Sequence, residues 1–140
     1  MSETIHVDIV SAEGEIYSGA AKMVFLPAAE GEIGVAPRHA PLLTLLKAGE
    51  VRVQPVEGPE QSFYVGGGAL EVQPSRVTVL ADTAARAHDL DEAAALAARQ
   101  RAEEALAGKI DKLEQAEALA ELARAAAQLK LIERLRKIRG

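Results

Sequence analysis

The sequence predicts an α+β chain in two unlike parts. An N-terminal all-β sandwich of about ten short strands spans residues 1–84, and an antiparallel two-helix hairpin spans 85–140. Three observations carry this. All six prolines and nine of the eleven glycines fall within the first 74 residues. From Ala84 to Gly140 there are 18 alanines, no proline, and glycine only at Gly108 and Gly140. Apolar residues recur every second position early in the chain and every third or fourth position late in it. Proline and glycine punctuate turns, alanine is the best helix former, and the two spacings are those of strand and helix.

The strands follow in order. Ile5-His6-Val7-Asp8-Ile9 alternates apolar and polar residues, the pattern of a half-buried strand. Glu13-Gly14 signals a turn, and Glu15 to Ser18 reads as a short strand ended by Gly19. Lys22 to Leu26 is stopped by Pro27. Ile33 to Val35, Leu43 to Leu46, Val51 to Val53 and Ser62 to Val65 come next, and Leu70 to Val72 and Val77 to Leu80 close the series. Turn residues recur between them at intervals of roughly ten residues, as in a sandwich or barrel.

Asp89 with Glu92 three residues later has the spacing of a capping box, so the first helix is expected to open there. It should run to Ala107 and stop at Gly108. Lys109 to Lys112 would form the turn, and a second helix would run from about Leu113 nearly to Arg139. Leu119, Leu122, Ala126, Leu129 and Ile132 form one apolar stripe on it, and Leu131, Leu135 and Ile138 an adjoining one. A short turn favours antiparallel helices. Alanine-rich seams bury little area, so the hairpin should be only modestly stable.

Composition excludes several chemistries. There is no cysteine, hence no disulfide, thiol nucleophile or cysteine metal site. His6, His39 and His88 are far apart and lack ligand spacing, so no metal site is expected. Gly66-Gly67-Gly68 lies between two strands, not between a strand and a helix. It therefore reads as a bulge or close backbone packing rather than a phosphate loop. No nucleophile elbow is present. Aromatics are few and the β part is acidic, which disfavours nucleic acid. No catalytic residue and no cofactor are expected. The N-terminus lacks a basic segment followed by an apolar run, so no signal peptide is expected. No stretch approaches the ~20 apolar residues of a bilayer span. The residues alone suggest a soluble intracellular protein.

Charge is uneven. Residues 1–83 carry a net −6 and residues 84–140 a net +1, which together give the chain's −5. The last 17 residues hold six cations, Arg124, Lys130, Arg134, Arg136, Lys137 and Arg139, against the single acid Glu133. A basic helix end suits an acidic partner. It equally suits the negative end of a helix dipole.

Several stretches resemble one family over nearly the whole chain. Gly31-Glu32-Ile33-Gly34-Val35-Ala36-Pro37-Arg38-His39-Ala40-Pro41-Leu42-Leu43-Thr44 resembles the signature loop of the ε subunit of bacterial F-type ATP synthase. Val7 to Glu13, Gly67 to Val72, Val77 to Ala84 and Glu121 to Leu129 match the same family in order, and proteobacterial members most closely. The resemblance implies a β-sandwich, the stalk-binding domain, followed by a regulatory helical hairpin. It implies a non-catalytic rotor subunit of the central stalk, bound to the γ subunit and the membrane ring of c subunits. Such a subunit couples proton-driven rotation to ATP synthesis. It would lie at the cytoplasmic face of the inner membrane, held there only through the complex.

Site residues follow from the same resemblance. Glu30, Gly31, Glu32, Gly34, Arg38, His39 and Pro41 are expected on one rigid, exposed loop that meets γ and the c ring. His39 reads as a structural or rim residue rather than a proton carrier. Arg124, Lys130, Arg134, Arg136 and Lys137 are expected to meet an acidic region of the β subunit when the hairpin extends, and so to inhibit ATP hydrolysis. Removing everything after Asp82 should then release hydrolysis. Some members bind ATP through an Ile/Leu-Asp-x-x-Arg-Ala start to the first helix. Here Leu90-Asp91-Glu92-Ala93-Ala94-Ala95 replaces that arginine with Ala94. Asp91, Arg101 and Arg124 would be left as a residual nucleotide site too weak to matter. Two rivals stay open: a stand-alone sandwich adaptor whose hairpin binds a partner helix, and a nucleotide sensor, against which the absent arginine argues.

Overall fold

The computed structural model describes residues 3–139; Met1, Ser2 and Gly140, at the ends of the two predicted parts, lie outside the described residues. The chain forms two compact units, one ending at Arg86 and one beginning at Ala87.

The first unit holds seven strands among the described residues. They are β1 (Ile5–Ser11), β2 (Gly14–Ala28), β3 (Gly31–Val35), β4 (Leu42–Pro55), β5 (Gln61–Gln73), β6 (Arg76–Ala81) and β7 (Ala84–Arg86). Hydrogen-bonded neighbours run β1-β6-β5-β4-β2-β3, and β1 also pairs with β2. The ring of β1, β6, β5, β4 and β2 therefore closes on itself, as a barrel does. β1 and β6 are parallel, and the other pairs are antiparallel.

The expected ten or so strands, nine of them named above, become seven: three predicted pairs fuse, and β7 is added. Glu15–Ser18 joins Lys22–Leu26 in β2, Leu43–Leu46 joins Val51–Val53 in β4, and Ser62–Val65 joins Leu70–Val72 in β5. Gly19 reads as a stop in the sequence, but β2 runs through it; Gly49 lies within β4, and the triple glycine, read as a bulge or close packing, lies within β5. In β2 the register slips between Ala21 and Met23 and again between Phe25 and Ala28. In β5, Gly67 and Gly68 adopt φ of +102° and +136°. There β5 changes partner from β6 to β7, with hydrogen bonds from Asp82 N–H to Gly67 O (2.9 Å) and from Gly66 N–H to Thr83 O (2.8 Å).

Alternation sets the core. Ile5, Val7 and Ile9 of β1 are fully buried, along with Val24, Leu26, Val35, Val51, Val53, Phe63, Val65, Leu70, Val72, Val77 and Val79. Each such side chain contributes roughly 1.5–3 kcal/mol by leaving water. Phe63 is the largest fully buried side chain, with Tyr17 tilted against it at 5.3 Å between ring centres.

The second unit begins with a 3₁₀ turn, Ala87–Asp89, then α1 (Glu92–Ala107) and α2 (Lys112–Arg139). The 3₁₀ turn takes up Asp89, so the expected cap moves to Asp91, whose carboxylate accepts from Ala94 N–H at 3.2 Å. Gly108 ends α1 in extended backbone, its N–H donating to Ala105 O at 3.2 Å. Asp111 opens α2 by accepting from Glu114 N–H at 2.8 Å. Ion pairs Arg101–Glu121 (3.2 Å) and Arg136–Glu92 (2.6 Å) fix the helices as antiparallel. The buried residues are Ala95 and Ala102 on α1 and Ala118, Ala125 and Leu131 on α2. The buried positions of α2 are therefore Ala118, Ala125 and Leu131, with Leu122, Leu129 and Ile132 half-buried beside them. Leu119 is 50% exposed and Ala126 is exposed, so both leave the predicted stripe.

Candidate functional site

The residues expected on one loop occupy two places. β3 takes up Gly31 to Val35 and pairs with β2 along its whole length. Glu30 sits at the β2–β3 turn, where Gly31 has φ +140°. Arg38, His39 and Pro41 lie in the connection at the other end of β3, about 17 Å away for five residues of strand. Between them, Glu32 accepts from Arg52 at 3.1 Å, and the Arg52 guanidinium lies over the Phe25 ring at 4.3 Å. Gly34 faces the same ring: a Cβ there would stand 2.7 Å from Met23 Cε and 3.1 Å from Phe25 Cε1.

The far connection is held by backbone bonds. Arg38 has a left-handed φ of 67° and donates its N–H to Pro74 O at 2.9 Å. Its side chain is 80% exposed and pairs with Glu3 at 2.5 Å. His39 donates its N–H to Ala36 O at 3.2 Å, and its Nδ1 lies 2.7 Å from Ala40 O. Pro41 is exposed and leads into β4.

An apolar surface patch was missed by sequence reasoning. Leu45, Ala69 and Leu80 are direct partners across β4, β5 and β6. Leu45 is 67% and Leu80 54% exposed, and Leu43, two residues along β4, is 76% exposed. Leu45, Ala69 and Leu80, with Leu46, Gly68 and Asp82, border a groove of about 440 Å³. The available signal was the break in alternation at Leu42-Leu43-Thr44-Leu45-Leu46, which puts leucine on both faces of β4. Leucines clustered on an exposed face mark a contact surface.

On α2, Lys130, Arg134 and Lys137 are four and three residues apart and share one face. Arg124 and Arg136 point elsewhere. Arg136 is bound to Glu92 of α1, and Lys137 to Glu133 of its own helix at 3.4 Å. Asp91, Arg101 and Arg124 do not converge. Asp91 caps α1, Arg101 lies ten residues along it, about 15 Å by helical rise, and is paired with Glu121. Arg124 is half-buried.

One further polar cluster lies on the outer face of β1. Asp8 accepts from Ser18 Oγ at 2.7 Å, lies 2.9 Å from His6 Nε2, and pairs with Arg76. Burial pushes the Asp8 carboxyl up, but the bonds from Ser18 and His6 and the charges of His6 and Arg76 outweigh it and hold the group below its ordinary value. The contacts to His6 converge on one ring nitrogen, Nε2, which is 3.0 Å from Ser18 Oγ as well. A nucleophilic triad needs the two nitrogens used separately, so the cluster ties β1 to β2 and β6 instead.

No helix among the described residues is long and apolar enough to cross a membrane. Residues 4–87 match the family described as ATP synthase, Delta/Epsilon chain, beta-sandwich domain. Residues 88–133 match ATP synthase, Delta/Epsilon chain, long alpha-helix domain. The chain is 65% identical to the ATP synthase epsilon chain of Nitrosococcus oceani over the full length of both. It is 63% identical to that of Alkalilimnicola ehrlichii, over 96% of each. Its fold resembles a chain in the cryo-EM structure of the Euglena gracilis mitochondrial ATP synthase, at TM-score 0.78 and 17% identity, covering 89% of this chain and 78% of that one. It also resembles one in the central stalk and c-ring structure of the Tetrahymena thermophila enzyme, at TM-score 0.65 and 12% identity, covering 94% and 98%. On these grounds the chain belongs to the epsilon chain family of ATP synthase, a non-catalytic subunit of that complex.

Proposed function

We propose that this chain is a rotor subunit of the central stalk, joining the γ subunit to the c ring, and that its hairpin restrains ATP hydrolysis. The observation that carries the first part is end-to-end identity of 65% with an epsilon chain. The β unit is the anchor. Its contact surfaces are the β2–β3 turn at Glu30 and Gly31, the connection at Arg38, His39 and Pro41, and the leucine patch on β4 and β6. Glu32 and Gly34 lie between the first two. The complex holds the chain at the cytoplasmic face of the inner membrane.

The helical unit is the brake. Its seam is largely alanine, so little apolar burial opposes separation of the helices. Only a few kcal/mol need separate a folded hairpin from an extended one. Once extended, α2 offers Arg124, Lys130, Arg134, Arg136 and Lys137 to an acidic region of the β subunit. Nucleotide does not govern the switch, because Ala94 supplies no phosphate partner and Arg101 is engaged with Glu121.

The test is reconstitution of the ATPase with the full chain and with a truncated one. The cut belongs after Arg86 rather than Asp82, since β7 pairs with β5 and a chain ending at Asp82 lacks that strand. Faster hydrolysis with the truncated chain, both forms being bound, is the expected result. Equal rates would remove the inhibitory role and leave the helices a part in assembly.

A further inference from the structure

Four ion pairs among the described residues of α1 and α2 fall into two kinds. Arg99–Glu103 and Lys137–Glu133 lie four residues apart on one helix. They persist whether the helices are together or apart, and so cancel from any balance between the two arrangements. Arg101–Glu121 and Arg136–Glu92 span the helices and exist only when the hairpin is closed. A contact shifts an equilibrium only by its difference between the two states.

We propose that Glu92 and Glu121 are latches: they hold the hairpin closed by occupying Arg136 and Arg101, and Glu92 thereby withholds Arg136 from any other acidic partner. The inference rests on the inhibitory reading above only for the identity of that outside partner. Its geometric basis is independent of it. The two pairs sit at different heights of the hairpin, Glu92 in the first turn of α1 with Arg136 near the end of α2, and Arg101 with Glu121 nearer the connecting turn. The seam between them is mostly alanine, and alanine contributes little burial per residue. All four side chains are partly exposed, between 35% and 66%, so water and salt reach both pairs and loosen them. Glu92 has a second role, since an acid in the first turn also favours the helix dipole. Glu121, in mid-helix, does not, which makes its pair the cleaner probe.

The chain contains no cysteine, so two introduced thiols label it uniquely. Spin labels at Ala97→Cys and Ala126→Cys, both on exposed positions of facing helices, report the gap between α1 and α2 in the full chain. Glu92→Gln and Glu121→Gln should each raise the wide-gap population by up to about fivefold, the range of an exposed ion pair. Added salt should do the same to the parent chain. Glu103→Gln and Glu133→Gln should leave the distribution unchanged. Exchanging the charges with Arg101→Glu and Glu121→Arg together should restore closure. A distribution that ignores Glu92→Gln and Glu121→Gln, or that responds equally to the two controls, would overturn the latch. In the reconstituted ATPase, Glu92→Gln should deepen inhibition. If the hairpin opens while hydrolysis stays constant, the latch stands and the inhibitory reading falls.

Discussion

The Arg86 guanidinium lies 5.5 Å from the centre of the Phe63 ring and donates to the Ile16 carbonyl oxygen at 3.0 Å. Through this one side chain, the last strand of the β unit is tied to its largest buried residue and to β2. Arg86→Ala removes a cation–ring contact and a hydrogen bond, together about 1–2 kcal/mol. Thermal unfolding of the isolated β unit should drop by roughly 4–8 °C per kcal/mol lost. A chain cut after Asp82 should unfold lower still than one cut after Arg86.

Gly68 meets a harder limit. Its φ is +136°, and a Cβ would collide with the Leu80 carbonyl oxygen and stand 2.9 Å from Ala81 Cα. The obstruction is backbone and cannot swing aside. Gly68→Ala should cost about 3 kcal/mol or more. Gly14 has a similar φ of +127° but open space around it, so Gly14→Ala should cost only about 1 kcal/mol of strain. Denaturant midpoints of the two variants test the contrast.

Asp8 gives the β unit a pH signature. Its carboxyl is held below the usual aspartate value of 3.8, so the unfolded chain binds that proton more readily than the folded one. The stabilisation is complete above that value and is lost as pH falls from about 4 through the folded value. Asp8→Asn should lower the unfolding temperature at neutral pH and flatten its decline on the acid side. A decline of unchanged steepness would refute the assignment.

The leucine patch predicts a separation of stability from binding. Leu45 and Leu80 are more than half exposed, so Leu45→Ser and Leu80→Ser should shift unfolding by less than about 0.5 kcal/mol. Binding to the depleted ATPase complex should weaken at least tenfold in the double variant. Wild-type binding would remove the patch from the contact surface.

Titration calorimetry tests the nucleotide reading. The parent chain should show no appreciable heat with ATP, and Ala94→Arg should gain binding. Tight binding by the parent would contradict the argument from the missing arginine.

The strands were legible wherever alternation was strict, as in Ile5 to Ile9 and Val77 to Leu80. Glycine misled the count, because it marks a bend as readily as an end: the ladder continues through Gly49 and Gly66, with Gly49 opposite Val65. β7 was invisible because Ala84-Ala85-Arg86 has little strand preference of its own; its conformation comes from the pairing surface that β5 offers. On α2, leucine drew the stripe towards Leu119, whereas close helix approach put Ala118 and Ala125 at the seam. The cap passed from Asp89 to Asp91 because a 3₁₀ turn, unsignalled in the sequence, intervened. As for the candidate site, motif residues could be named but not their distribution. Ile33 to Val35 was legible as a strand, but its start at Gly31, its pairing with β2 and so its separation of Glu30 from Arg38 were not. Nor can partner pairs such as Arg136–Glu92, 44 residues apart, be read from spacing.

Among the described strands, β3 and β7 each have a single partner strand, and they are five and three residues long. β3 is further guarded by Glu32 and by glycines at Gly31 and Gly34. Long, flat, open edges recruit other chains into aggregates. Two strands this short offer little length for a second copy to add to. The closure that shapes the core also leaves an unassembled chain fewer edges to offer its own kind.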